Sequence, residues 1–162
     1  MPLVPDTAAF LKKLADLPVT GYQAGESVLA SGSKTGRLLV LLSGSVEVVK
    51  DGVQIAKVSA PGTVFGELAV LLDQAHSADV RTLGESDFYV ANAETLLAYD
   101  PAVTLYVAAI LARRLDSANH AVVEVRRQLQ GGEPRSVIGK TLEKMEKLLS
   151  SSGDSTGWLW LI

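Results

Sequence analysis

The chain has 162 residues, 48% of them hydrophobic and 20% charged, with fifteen Lys and Arg against eighteen Asp and Glu. The resulting formal charge of −3 offers no basic field to hold nucleic acid through its phosphates. Cys is absent, which removes disulfides, thiolate metal sites and thiol nucleophiles together. The N-terminal stretch has no basic region followed by an apolar core and a small-residue cleavage site. No apolar run reaches the length of a membrane span, so the expectation is a soluble cytoplasmic protein.

Residues 1–18 read as a short helix. Asp6 is placed to cap it, Phe10, Leu11, Leu14 and Leu17 recur at helical spacing, and Pro18 closes the segment. From Tyr22 to about Ala91 the pattern changes to short Val- and Leu-rich runs separated by Gly, Ser and Asp. The runs are Val28 to Ala30, Leu38 to Leu42, Val46 to Val49, Val53 to Val58, Ala78 to Arg81 and Phe88 to Val90. Asp51-Gly52 between two of them is a strong hairpin signal, because both residues tolerate positive φ. Many short strands with frequent turns predict a barrel or jelly roll.

The next part is helical. A short segment opens at Asn92 or Ala93 and stops near Asp100-Pro101, and a long helix follows from about Ala102 to Leu129 or Gln130. Leu111, Leu115, Ala118, Val122, Val125 and Leu129 form a heptad seam on it, which either packs on the barrel or pairs with a second copy. Arg113, Arg114, Asp116, Glu124, Arg126 and Arg127 around the seam suit a partly solvated helix. Residues 131–162 are expected to hold a second amphipathic helix, Val137 to Leu149, then a polar linker and the apolar ending Trp158 to Ile162. That ending reads as a tail that docks on its own domain or dimer, or as the cut end of a longer chain, with a partner-binding peptide as the alternative.

Enzymatic chemistry finds little support in the residues. A barrel metal site needs two or three His with a carboxylate, and the chain has only His76 and His120, in different regions. No GxSxG elbow occurs, and Gly32-Ser33-Lys34-Thr35 only imitates the end of a phosphate-binding P-loop. No catalytic residue, metal or cofactor is therefore assigned. The informative stretch is Pro61 to Leu72 followed by His76-Ser77-Ala78-Asp79-Val80. A Gly beside a Glu at the start of a helical turn can turn backbone N–H groups toward an anion while the carboxylate accepts from sugar hydroxyls. The plain alternative is strand, turn and strand, with Phe65, Leu68 and Leu71 in the core and Glu67 in solvent.

Taken together, these motifs resemble the cyclic nucleotide-binding domain family, which includes catabolite activator and Fnr-type regulators, kinase regulatory subunits and gated channels. Gly21 to Leu29 is similar to its opening turn and strand, and Leu38 to Val48 to its first hairpin. Phe65-Gly66-Glu67-Leu68-Ala69 is similar to the core of its phosphate-binding cassette, and Asp100 to Leu115 to the helices after its barrel. The resemblance spans residues 19–130. It implies an α+β fold in which an N-terminal helix precedes an eight-stranded jelly-roll-like barrel that ends in a long helix.

The resemblance further implies that Phe65, Gly66, Glu67, Leu68, Ala69, His76, Ser77 and Ala78 form a site for cAMP or cGMP. The Gly and the amides after it would hold the cyclic phosphate, and the Glu would accept from the ribose 2′-OH. The family places an Arg on the phosphate where this chain has His76. Arg81 falls on the opposite strand face. Imidazole is mostly neutral at pH 7 and offers one donor where guanidinium offers a charged fork. Three readings stay open. The first is a stand-alone bacterial-type sensor, homodimeric through the seam and signalling through its long helix to an unidentified protein partner. The second is a degenerate pocket in a nucleotide-independent dimerisation module. The third is the regulatory part of a catabolite activator or Fnr-type transcription regulator, for which residues 131–162 are too few to supply the DNA-binding domain.

Overall fold

The computed structural model describes residues 3–130 and Lys140. The second amphipathic segment and the Trp-containing ending predicted for residues 131–162 lie outside the described residues, Lys140 apart. Helix α1 (Thr7–Lys13) starts where Asp6 accepts from the Ala9 amide at 2.7 Å. It is shorter than the reading to Pro18, because Leu14 to Leu17 continue as turns that still bury Leu14. Eight strands follow: β1 (Val19–Tyr22), β2 (Ser27–Leu29), β3 (Arg37–Ser43), β4 (Val46–Lys50), β5 (Val53–Val58), β6 (Val64–Phe65), β7 (Asp79–Thr82) and β8 (Ser86–Asn92). A single-turn helix, α2 (Glu67–Leu71), separates β6 from β7, and α3 (Ala93–Tyr99) and α4 (Pro101–Gln130) close the described chain.

The strands form two antiparallel four-stranded sheets, ordered β1-β8-β3-β6 and β2-β7-β4-β5. The expected eight-stranded jelly roll with its flanking helices is the observed fold. Leu29, Leu41, Val48, Val80, Phe65 and Phe88 fill the space between the sheets. A second cluster joins Phe10 and Leu14 of α1 to Val103, Tyr106, Val107 and Ile110 of α4 over the outer face of the first sheet. Strand β3 serves both layers, with Leu39 and Leu41 on the inner face and Leu38 and Val40 under the helices. Its unbroken apolar run is what a strand buried on both faces requires.

Two strands escaped the residue pattern. Val19–Tyr22 is an edge strand with no buried residue and a central Gly, so it shows no alternation. Val64–Phe65 is only two residues long. The Asp51-Gly52 turn forms as read, with φ of 51° and 78°. Asn92 caps α3 through the Thr95 amide at 2.8 Å, and the α3 and α4 axes meet at 106° where Pro101 begins the long helix. No single described helix is long and apolar enough to cross a membrane. Beyond Leu111 the heptad seam does not pack on the barrel: Leu115, Val122 and Leu129 are 63%, 54% and 60% exposed.

Gly44, in the turn from β3 to β4, has φ +96°, and a Cβ there would lie 2.4 Å from the Glu85 carbonyl oxygen. Gly52 has a similar φ of +78° and open space around it. Gly44→Ala is therefore expected to cost about 3 kcal/mol, from strain and overpacking together. Gly52→Ala is expected to cost only about 1 kcal/mol. Urea midpoints of the two variants, at unchanged m, measure the difference.

Candidate functional site

Strand β6 alternates like any strand, with Val64 toward the helices and Phe65 in the inter-sheet core. The chain then turns at Gly66, whose φ of +90° favours glycine. A Cβ at Gly66 would lie 2.4 Å from the Arg37 carbonyl oxygen, so the cassette rests directly on the backbone of β3. This close approach fixes where the next residue goes. Glu67 is driven inward and has no solvent exposure. Leu71, in contrast, is 51% exposed. The plain reading is met at Phe65, which lies in the core, and reversed at Glu67 and Leu71.

A buried carboxylate needs a counter-charge, and it comes from α4. Val103, Val107 and Ile110 form the stripe of α4 that packs on the barrel, and Arg114 is the next member at helical spacing. Its guanidinium Nη1 donates to Glu67 Oε1, and Nη2 donates to the Val64 carbonyl at 3.2 Å. Arg114 is thus buried, unlike the exposed Arg113, Asp116, Glu124, Arg126 and Arg127 with which it was grouped in the sequence. The helical spacing from Ile110 was the available signal. Burial pushes the Glu67 carboxyl above its usual range, and the attraction of Arg114 opposes the shift.

His76 lies between α2 and β7 and is 2% exposed. Its backbone is held to the β2–β3 loop from both sides, by the Gly32 amide donating to its carbonyl and by its own amide donating to Ser33, each at 2.8 Å. The ring Nε2 hydrogen-bonds Thr35 Oγ1 at 2.9 Å, and Cε1 lies 3.6 Å from the Cβ position of Gly66. The loop that imitates a P-loop therefore serves as the seat of His76. Burial lowers the tendency of the imidazole to take up a proton.

Three buried side-chain atoms among the described residues lack a hydrogen-bond partner: Glu67 Oε2, His76 Nδ1 and Arg114 Nε. All three belong to the cassette or to the helix laid over it. Of the other residues singled out in the sequence, Ala69 and Ala78 are buried, Leu68 and Ser77 are half-buried, and Arg81 faces outward with Asp79. A cleft of ≈ 360 Å³ between Lys34, Asp73, Asn92 and Glu94 is lined by Ala69, but not by Gly66, Glu67 or His76. His120 is exposed on α4, with Nδ1 2.9 Å from the Asp116 carbonyl oxygen.

The family profile described as "Cyclic nucleotide-binding domain" matches residues 19–99, the whole of the barrel and α3. The chain belongs to the cyclic nucleotide-binding domain family. Among curated relatives it is similar to "Glutaminase 2" of Bradyrhizobium diazoefficiens, 39% identical over 113 residues that make up 62% of this chain and 17% of that protein. It is also similar to the "cAMP-dependent protein kinase regulatory subunit" of Yarrowia lipolytica, 33% identical over 75 residues, 46% of this chain and 20% of that one. The chain thus spans a small part of the length of these relatives. The catabolite activator protein of Thermus thermophilus shares the fold, with a TM-score of 0.61 over 94% of this chain and 89% of that one at 20% identity. In the cyclic nucleotide-binding domain of this chain, the cassette and α4 are joined by one ion pair.

Removing half of that pair leaves a charge buried without a partner. Arg114→Ala is expected to lower stability by about 3–5 kcal/mol. Glu67→Gln combined with Arg114→Met, which removes both charges at similar volume, should recover most of the loss. Chemical denaturation of Arg114→Ala and of the double variant checks both statements.

Proposed function

We propose that this chain is a non-enzymatic regulatory module that binds cAMP or cGMP at the cassette and signals through α4. The observation that carries this reading is the grouping of the three unpartnered buried atoms, Glu67 Oε2, His76 Nδ1 and Arg114 Nε, around the turn at Gly66. Each unmet polar group costs about 1–3 kcal/mol unless something answers it. A ribose hydroxyl answers the free Glu67 oxygen, and a phosphate oxygen answers the His76 nitrogen. The amides that follow Gly66 and the neighbourhood of Ser77 and Ala78 complete the phosphate side. The name of the Yarrowia relative, a cAMP-dependent kinase subunit, supports the ligand class.

Signalling follows from Arg114. A ligand that engages Glu67 changes what the carboxylate offers to Arg114, and so biases the position of α4. The exposed Leu115, Val122 and Leu129 on the same helix support a homodimer formed through α4, with the ligand signal delivered at its interface.

Cyclic AMP or cyclic GMP, at about 100 times its Kd, is expected to add about 2.7 kcal/mol to the unfolding free energy. His76→Arg should tighten binding by about one to two orders of magnitude, because it adds a charge-assisted, two-pronged contact with the phosphate. Thermal shift and titration calorimetry measure both. No response to either nucleotide in either protein overturns the reading in favour of a nucleotide-independent interaction module. For the dimer, Val122→Glu with Val125→Glu should yield monomer in sedimentation velocity, and a monomeric wild type overturns that part.

A further inference from the structure

We propose that nucleotide binding takes up a proton at His76, so that this site responds to ligand and to pH together. The inference rests on the cyclic nucleotide reading above and goes beyond it by naming a second input to the same pocket.

The argument starts from the ring's two nitrogens. A neutral imidazole has one N–H and one lone pair, and Nε2 is already engaged with Thr35 Oγ1, a hydroxyl that serves either role. Nδ1 is buried without a partner. In the free protein nothing rewards a second proton. The charged groups on the surrounding elements are matched among themselves: Glu67 of α2 with Arg114 of α4, Asp73 after α2 with Lys34 of the β2–β3 loop, and Asp79 of β7 with Arg81. Arg37 of β3 meets the cassette through its carbonyl oxygen, and the residue itself is exposed. Among the described residues no carboxylate hydrogen-bonds the imidazole, and burial favours its neutral form.

A cyclic phosphate changes this balance, because it carries a fixed negative charge and does not titrate near neutrality. With its oxygen at Nδ1, the ring becomes a donor at both positions. Nε2–H points to Thr35, Nδ1–H to the phosphate, and the added proton comes from solvent. An opposite charge at hydrogen-bond distance favours the protonated form. Free and bound protein then hold different numbers of protons at His76, and affinity must depend on pH by linkage. Between the free and bound transitions the affinity rises by up to ~10-fold for each unit that pH falls.

The test uses the wild-type chain and cyclic AMP or cyclic GMP, titrated calorimetrically at pH 7 in buffers of different ionisation enthalpy. The expected result is net uptake approaching one proton per nucleotide, with affinity that strengthens from about pH 7.5 to about pH 6. In His76→Arg the pH dependence should flatten and the uptake vanish while binding persists. Any exchange that remains in that variant belongs to Glu67. Wild-type binding with no proton uptake and a flat pH profile overturns the inference and leaves the functional reading standing. Absence of binding in both proteins overturns both. Should the variant fail to fold, the ring 15N shifts of His76 in the wild-type complex at pH 7 report its protonation directly, and a neutral ring there overturns the inference.

Discussion

The structure turns on a carboxylate that has nowhere to go but inward. Gly66 lies so close to the β3 backbone that the following residue is forced beneath α4, and Glu67 brings a charge there. Burying an isolated carboxylate costs several kcal/mol, so α4 must present a cation at one particular height along its axis. Arg114 does so, and its second nitrogen ties down the Val64 carbonyl as well. One guanidinium thereby sets the register of α4 against both β6 and α2. The apolar stripe of Val103, Val107 and Ile110, with Tyr106 stacked on Phe10, supplies the packing area, and the ion pair adds a directional contact to it. The ion pair is better understood as a position marker than as a source of stability.

Much of this was legible in the chain itself. The continuous run Leu38 to Leu42 shows a strand covered on both sides, and Asp51-Gly52 shows where the next hairpin turns. Asp6 and Asn92 mark helix starts by side-chain chemistry that any reader of sequence can see. Edge strand β1 was not legible, because its partner β8 lies about seventy residues away in the chain and only its last residue, Tyr22, packs on the core, edge-on against Phe88. A strand held mainly by hydrogen bonds leaves little mark in hydrophobicity. The resemblance to a known family gave the strand count where the pattern could not.

The site divides in the same way. Gly66 and Glu67 were identifiable as a pair, but their opposite fates, one against backbone and one against a guanidinium, depend on contacts made across the fold. Arg114 was hidden by its type, since charged residues on a long helix are usually solvated. Its spacing from Ile110 carried the information, and its chemistry masked it. The β2–β3 loop was dismissed for failing as a phosphate-binding loop, and that judgement missed its real task. Ser33 and Thr35 hold His76 in place through the backbone and the ring, respectively.

Arg114 is also the last buried residue of α4 among the described residues. From there the helix runs on to Gln130 over about 24 Å at 1.5 Å per residue, and its side chains through Leu129 are exposed or half-buried. It is a rod held at one end, and Arg114 is the clamp. Tilting such a rod by about 10° at the clamp moves its far end by about 4 Å, roughly the width of a methyl group. A carboxylate with no exposure to solvent thus sits at the fulcrum of the most exposed element of the fold.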